Sequence, residues 1–243
     1  NPTGSFKDRM IAIIFQKARE FNNHVLLIVS DGNLGSSGAA YCSKHGKTEC
    51  IIMTYPHITE AKLYQMLIYG GKVFDVKGSL EERVGLFLKL AERKGWYVVN
   101  YDHIGNPYAL EGYKTIGYEI SEQLGWQAPD HVIVPTGSGE GISGVYKGFK
   151  ELYELGWIQT MPRIHAAQVE GNDPLVRAVN AKLDNVVPLS VMEPTVVGGI
   201  NTDITGYTAL EAVIATGGTG VTVSEKEALE GEKLMATREA VYT

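Results

Sequence analysis

At 243 residues the chain can fold as one large domain or two small ones with real cores, and its 44% apolar and 21% charged residues are ordinary globular values. A net charge of −6 with no basic run argues against a nucleic-acid partner. No apolar stretch approaches the ~18 residues a membrane span needs, no signal peptide is visible, and Cys42 and Cys50 make neither a disulfide framework nor a metal site, so a reduced, cytoplasmic setting is expected.

The chain opens on Asn1-Pro2-Thr3-Gly4-Ser5-Phe6-Lys7-Asp8-Arg9, followed by a helix-like run from Met10 to Glu20. A lysine framed by small and turn-forming residues at a helix mouth is placed to hold an electrophile. Unpaired N–H groups and the positive end of the dipole disfavour an ammonium there and favour the nucleophilic amine. The apolar run Val25–Ser30 predicts a strand. It leads into the loop Asp31-Gly32-Asn33-Leu34-Gly35-Ser36-Ser37 and a small-residue helix from Gly38 to His45. Strands predicted at Cys50–Thr54, Lys72–Val76 and Trp96–Val99 alternate with a helix at Thr59–Tyr69 and one that the capping box Ser79-Leu80-Glu81-Glu82 opens, running to about Arg93. Helical periodicity returns at Pro107–Gln123. A strand at Val132–Pro135 then leads into Thr136-Gly137-Ser138-Gly139-Glu140-Gly141 and a helix over Gly144–Leu155. Strands at Ile164–Val169 and Gly220–Val223 follow, and the capping box Ser224-Glu225-Lys226-Glu227 opens a last helix to about Arg238. Such alternation is the pattern of a parallel α/β fold. The two strand-loop-helix units imply two lobes with a seam near Asp102–Glu111. Asn1 begins inside a motif and Thr243 follows a helical segment, so the natural polypeptide is expected to extend beyond both ends. Residues 1–243 alone are then expected to leave unpaired sheet edges that favour aggregation or a partner.

The glycine loop can wrap an anion, because glycines let the backbone approach and the N–H groups of the loop and following helix point at the ligand. No Lys-Ser/Thr follows, so a Walker site is excluded. Two readings fit the loop alone: the phosphate of a cofactor, or a dinucleotide fingerprint in which Gly139-x-Gly141-x-x-Gly144 precedes a strand ending at Glu170. Glu140 is expected to turn its carboxylate away from such an anion. His24, His45, His57, His103, His131 and His165 show no ligand spacing and read as scattered surface or satisfied residues.

Three strings carry a resemblance: the opening nine residues, Ser30-Asp31-Gly32-Asn33-Leu34-Gly35, and Asn106-Pro107-Tyr108-Ala109-Leu110-Glu111-Gly112-Tyr113-Lys114-Thr115. With Gly148-Phe149-Lys150-Glu151-Leu152 and Pro162-Arg163-Ile164, in order along nearly the whole chain, they resemble the fold type II (tryptophan synthase β-like) pyridoxal-phosphate (PLP) enzymes, and among these the threonine synthase branch. The resemblance implies a two-lobed α/β fold with parallel-rich three-layer lobes and PLP in the cleft. Residues 1–110 would form the smaller lobe, with the cofactor lysine and the Asn loop, and 111–243 part of the larger lobe with the phosphate-binding glycine loop. It decides the glycine loop in favour of the PLP phosphate, held by Gly137, Ser138, Gly139, Glu140 and Gly141. Lys7 would carry PLP as a Schiff base and move the α-proton, and Asn33 would bond the phenolic oxygen of the cofactor. Ser30, Asp31, Gly35, Ser36 and Ser37 would form the substrate site; Asp31 reads either as a base, as in diaminopropionate ammonia-lyases, or as a helix cap. The implied reaction converts O-phosphohomoserine and water to threonine and phosphate, in a homodimer. A β-eliminating deaminase (serine/threonine dehydratase or diaminopropionate ammonia-lyase type) or a β-replacement synthase is the alternative. A non-catalytic PLP-fold module or a dinucleotide-binding oxidoreductase is more remote.

Threonine synthases commonly carry arginine where this chain has Ala109, and polar residues where it has Ile104 and Leu34. Each missing charge-assisted hydrogen bond is worth ~1.5–3 kcal/mol, so slow turnover of phosphohomoserine is expected, improved by Ala109→Arg. Gly139→Asp is expected to weaken PLP binding far more than it unfolds the chain.

Overall fold

The structure is a computed structural model that describes residues 2–30, 32–54, 58–77, 80–99 and 106–242, excepting the side chains of residues 80, 81, 83 and 84. The chain divides into two compact units, Asn1–Thr115 and Ile116–Thr243, each built on its own parallel sheet.

The first unit runs α1 (Lys7–Glu20), β1 (Val25–Val29), α2 (Asn33–His45), β2 (Glu49–Thr54), α3 (Glu60–Ile68), β3 (Lys72–Asp75), α4 (Leu80–Lys94) and β4 (Tyr97–Val98), then enters α5 (Pro107–Gln123), which crosses the division. The strand order is β3-β2-β1-β4, with Leu26 opposite Cys50 and Leu27 opposite Val98. Strand β1 is central. Leu26, Leu27 and Ile28 are fully or almost fully buried, which is why the sequence reads there as an unbroken apolar run rather than an alternation. Met10, Ile11, Ile14, Phe15 and Ala18 make the helical stripe by which α1 is buried. Leu27, Ile51 and Met53 pack with Phe87 and Ala91 of α4. Burying each of the larger side chains contributes ~1.5–3 kcal/mol.

The second unit continues with β5 (His131–Pro135), α6 (Glu140–Glu154), β6 (Arg163–Val169), α7 (Pro174–Asn180), α8 (Tyr207–Ala215), β7 (Gly220–Val223) and α9 (Glu225–Glu239), in strand order β5-β6-β7. Its core joins Val145 and Phe149 of α6, Ile164 and Ala166 of β6, and Leu210 and Val213 of α8.

Strands lie where the apolar runs predict them, within one or two residues. Helices differ more. Helix α1 starts at Lys7 rather than Met10, α2 at Asn33 rather than Gly38, and α6 at Glu140 rather than Gly144. In each case residues read as loop form the first turn, where missing N–H partners cost the helix nothing intrinsic and tertiary packing overrides weak propensity. Helices α7 and α8 carry no cap or period that the sequence reading used. The Ser224 box forms as expected: Ser224 Oγ accepts from the Glu227 N–H (3.3 Å), and Glu227 Oε2 accepts from the Ser224 N–H (2.9 Å). Ser79, opening the other box, lies outside the described residues. Among the described residues no helix is long and apolar enough to cross a membrane.

Candidate functional site

Lys7 is half-buried at the first turn of α1. Its neighbour Asp8 is 3% exposed, and its carboxylate collects three hydrogen bonds: from the Thr3 N–H (3.0 Å), from Thr3 Oγ1 (2.9 Å) and from Ser37 Oγ of α2 (2.6 Å). The turn before the lysine is thereby closed on itself and tied to α2. On the other side Arg9 donates to Thr115 Oγ1 at 2.8 Å. A Cβ on Gly112 would come within 2.3 Å of the Arg9 carbonyl oxygen, so only glycine lets α5 approach α1 this closely. Lys7 Nζ lies 5.2 Å from the ring centre of Phe6 and 5.6 Å from that of Tyr113, whose hydroxyl donates to Met10 Sδ (2.7 Å). The two rings attract an ammonium at Nζ, which acts against the helix N-terminus.

The second group stands at the carboxyl end of β1, where open α/β sheets bind ligands. Ser30 Oγ accepts from the N–H groups of Gly32 (3.1 Å) and Gly35 (3.2 Å), which folds the chain sharply into α2. The first bond within α2 runs from the Ser36 N–H to the Gly32 carbonyl, so the Asn33 and Leu34 N–H groups have no partner within the helix. Asn33 is exposed at the first position. Ser37 is committed to Asp8, whereas Ser36 Oγ is buried without a hydrogen-bond partner among the described residues. Asp31 and Ile104 lie outside the described residues.

The third group belongs to the second unit. The glycine loop is held by its carbonyls: Gln168 Nε2 donates to the Thr136 oxygen (3.1 Å), Thr205 Oγ1 to the Gly137 oxygen (2.8 Å) and the Gly206 N–H to the Ser138 oxygen (2.9 Å). In a trans peptide the C=O and the next N–H point in opposite directions. The N–H groups of Gly137, Ser138 and Gly139 are therefore turned away from these anchors. Those of Glu140, Gly141 and Ile142 precede the first bond of α6, from the Ser143 N–H to the Gly139 carbonyl. These six consecutive N–H groups at a helix N-terminus are donors of the kind that an anion takes up. Gly139 has φ +100°, and a Cβ there would come within 2.7 Å of Ala209 and 2.8 Å of Thr205, so glycine is required for both conformation and space.

The first unit thus presents a lysine at a helix mouth, and the second a glycine-rich helix N-terminus. The model of the family described as "Pyridoxal-phosphate dependent enzyme" matches residues 1–243. The chain belongs to the pyridoxal-phosphate dependent enzyme family. It is 36% identical over 243 residues to a threonine synthase of Methanocaldococcus jannaschii, all of this chain against 59% of the relative. To a threonine synthase of Methanosarcina acetivorans it is 32% identical over 242 residues, covering 99% of this chain and 59% of the relative. The chain thus spans about three-fifths of the length of these relatives. Among solved structures it resembles maize serine racemase (TM-score 0.84, 22% identity, 98% of this chain and 68% of that one) and the threonine deaminase of T.th. (TM-score 0.80, 24% identity, 98% and 73%). These likenesses show the α/β fold of the fold type II PLP enzymes.

The dinucleotide reading of the glycine loop falls with the family assignment, and the cofactor of the family is PLP. The residues present fit that group. The glycine loop and the start of α6 carry N–H groups outside the helical ladder and no basic side chain, and Lys7 is held by neighbours that fix its backbone. Asp8, Gln168 and Thr205 organise these groups, and the sequence reading did not single them out. Each acts over 29 residues or more, at Asp8–Ser37, Gln168–Thr136 and Thr205–Gly137, beyond the reach of motif spacing.

Proposed function

We propose that this chain is the cofactor-binding part of a PLP-dependent lyase of the threonine synthase type, acting on O-phosphohomoserine or a closely related amino acid. The observation that carries the reading is the match to threonine synthases over the whole chain at 36% and 32% identity. The local arrangement within each unit supports it. PLP, when bound, supplies a ring that takes up the electron pair released at the substrate α-carbon. Lys7 would hold the cofactor covalently and would take the α-proton of the substrate at Nζ. The backbone of Gly137, Ser138, Gly139, Glu140 and Gly141 binds the phosphate, and Asn33 orients the ring through its exposed amide. The substrate carboxylate is received at the start of α2. There Ser30, Gly35 and Ser37 shape the turn, Ser36 offers a hydroxyl with no partner among the described residues, and Asp31 adjoins them in sequence. Residues 1–110 serve as the smaller lobe and 111–243 as part of the larger one, in a cytoplasmic homodimer.

Two measurements test this. Borohydride reduction of the PLP-loaded protein should fix the cofactor to the peptide bearing Lys7, and label on another lysine sinks the assignment. Phosphate released from O-phosphohomoserine with threonine formed supports the synthase; a 2-oxo acid with ammonia makes the protein a deaminase instead.

A further inference from the structure

Helix α3 brings a cation to the start of α2. Lys62 is half-buried, and its side chain lies flat against Gly32: a Cβ on Gly32 would meet Lys62 Nζ at 3.1 Å, Cδ at 3.2 Å and Cε at 3.3 Å. One turn further along α3, Met66 packs against Gly35 in the same way, with Cε 2.8 Å from the corresponding position. The pair at i and i+4 fixes α3 along the first turn of α2, so Lys62 is held there by the packing of its helix. Three features therefore meet in one turn. The Asn33 and Leu34 N–H groups lack helical partners, Ser36 contributes a fully buried hydroxyl with no hydrogen-bond partner among the described residues, and an ammonium stands against Gly32. Donors with no acceptor among the described residues, next to a full positive charge, call for an anion.

We propose that Lys62 binds the anionic group of the amino-acid substrate at the start of α2. The inference rests on the functional reading above and adds to it a residue that sets which substrates are held. An ammonium attracts phosphate and carboxylate alike, so the anion comes either from a phosphorylated side chain or from the α-carboxylate.

The test uses the full chain loaded with PLP and reduced with borohydride, so that the glycine loop is already filled. Inorganic phosphate and acetate are titrated in separately by calorimetry, into wild type, Lys62→Arg, Lys62→Gln and the control Lys226→Gln, whose side chain is 86% exposed on α9. Loss of the charge should weaken phosphate binding about tenfold, with Lys62→Arg within about threefold and Lys226→Gln unchanged. Weakened acetate binding with phosphate unaffected also supports the proposal and assigns Lys62 to the α-carboxylate. Wild-type affinities for both anions in Lys62→Gln, or no binding of either anion to wild type, overturn it. The functional reading fails separately, through absence of borohydride label at Lys7.

Discussion

Asp8 shows how much of the lysine's setting is carried by a residue that performs no chemistry. Its carboxylate is buried and accepts from the Thr3 N–H, the Thr3 hydroxyl and the Ser37 hydroxyl. Removing it leaves those donors facing a small cavity, so Asp8→Ala should cost about 2–4 kcal/mol of stability. Asp8→Asn, which keeps an acceptor, should cost less. Urea denaturation measures both, and equal midpoints for wild type and Asp8→Ala would show that the clamp holds nothing. Lys7 and Asn33 can be proposed from the sequence because each stands in a string of local spacing. The Asp8–Ser37 bond cannot, because it joins positions 29 residues apart that only the packing of α1 on α2 brings together. Structure also changes an expectation at Ala109. That residue is fully buried, so Ala109→Arg would bring a guanidinium into an interior position instead of simply adding a phosphate ligand.

At the scale of elements, the glycine loop is a consequence of what stands behind it. Gln168 is fully buried in β6; its amide donates to Thr136 and Thr205, and its oxygen accepts from the Leu175 N–H (2.8 Å) and the Val176 N–H (3.1 Å) at the start of α7. One side chain thus fixes the carbonyl side of the loop and the entry of a helix. Gln168→Leu should cost about 3 kcal/mol through unpaired backbone groups and weaken PLP binding about tenfold or more, because the loop loses its backing. Fluorescence titration with PLP reads the second effect, and unchanged affinity in a folded variant would mean that the loop holds its shape unaided. Gly139→Asp no longer reads as a pure binding lesion. At φ +100° and with α8 within 2.7 Å of any Cβ, the substitution should also destabilise the unit by about 2–4 kcal/mol. Strands and the late capping box were legible because apolar runs and Ser-x-x-Glu act locally. The glycine-rich helix starts were not, because α2 and α6 begin on residues whose propensity favours loops and whose packing favours helix.

Charge is a property of the whole molecule, and among the described residues a histidine and two carboxylates open separate windows on the acid side. His131 and His165, read in the sequence as unrelated, are brought together by the pairing of β5 with β6, their rings 2.9 Å apart at His131 Nδ1 and His165 Nε2. The Thr219 N–H donates to His165 Nδ1 at 3.1 Å, so the His165 proton resides on Nε2 and is donated to His131. Desolvation, then His131, then Arg163 hold the His165 pKa below its ordinary value of 6.5. The unfolded chain therefore takes up this proton first, so the contribution is complete above pH 6.5 and declines as the pH falls below it towards the folded pKa. Glu225 and Glu227 behave as carboxylates do. The Val196 N–H and the Ser224 hydroxyl, respectively the largest influences, lower their pKa values from 4.5, so their contribution is intact above that pH and lost as the pH falls through their folded pKa values. Between about pH 7.5 and about pH 5.5 the His165 window is crossed and that of Glu225 and Glu227 is not. The thermal midpoint should fall across that interval in wild type, and His165→Gln should flatten the slope while leaving the acid limb of the carboxylates in place. The net charge approaches zero near the sequence pI of 5.6, so the melts belong in dilute protein at moderate salt, where self-association does not mimic unfolding. Equal slopes in wild type and His165→Gln would show that the two-histidine contact does not titrate with folding.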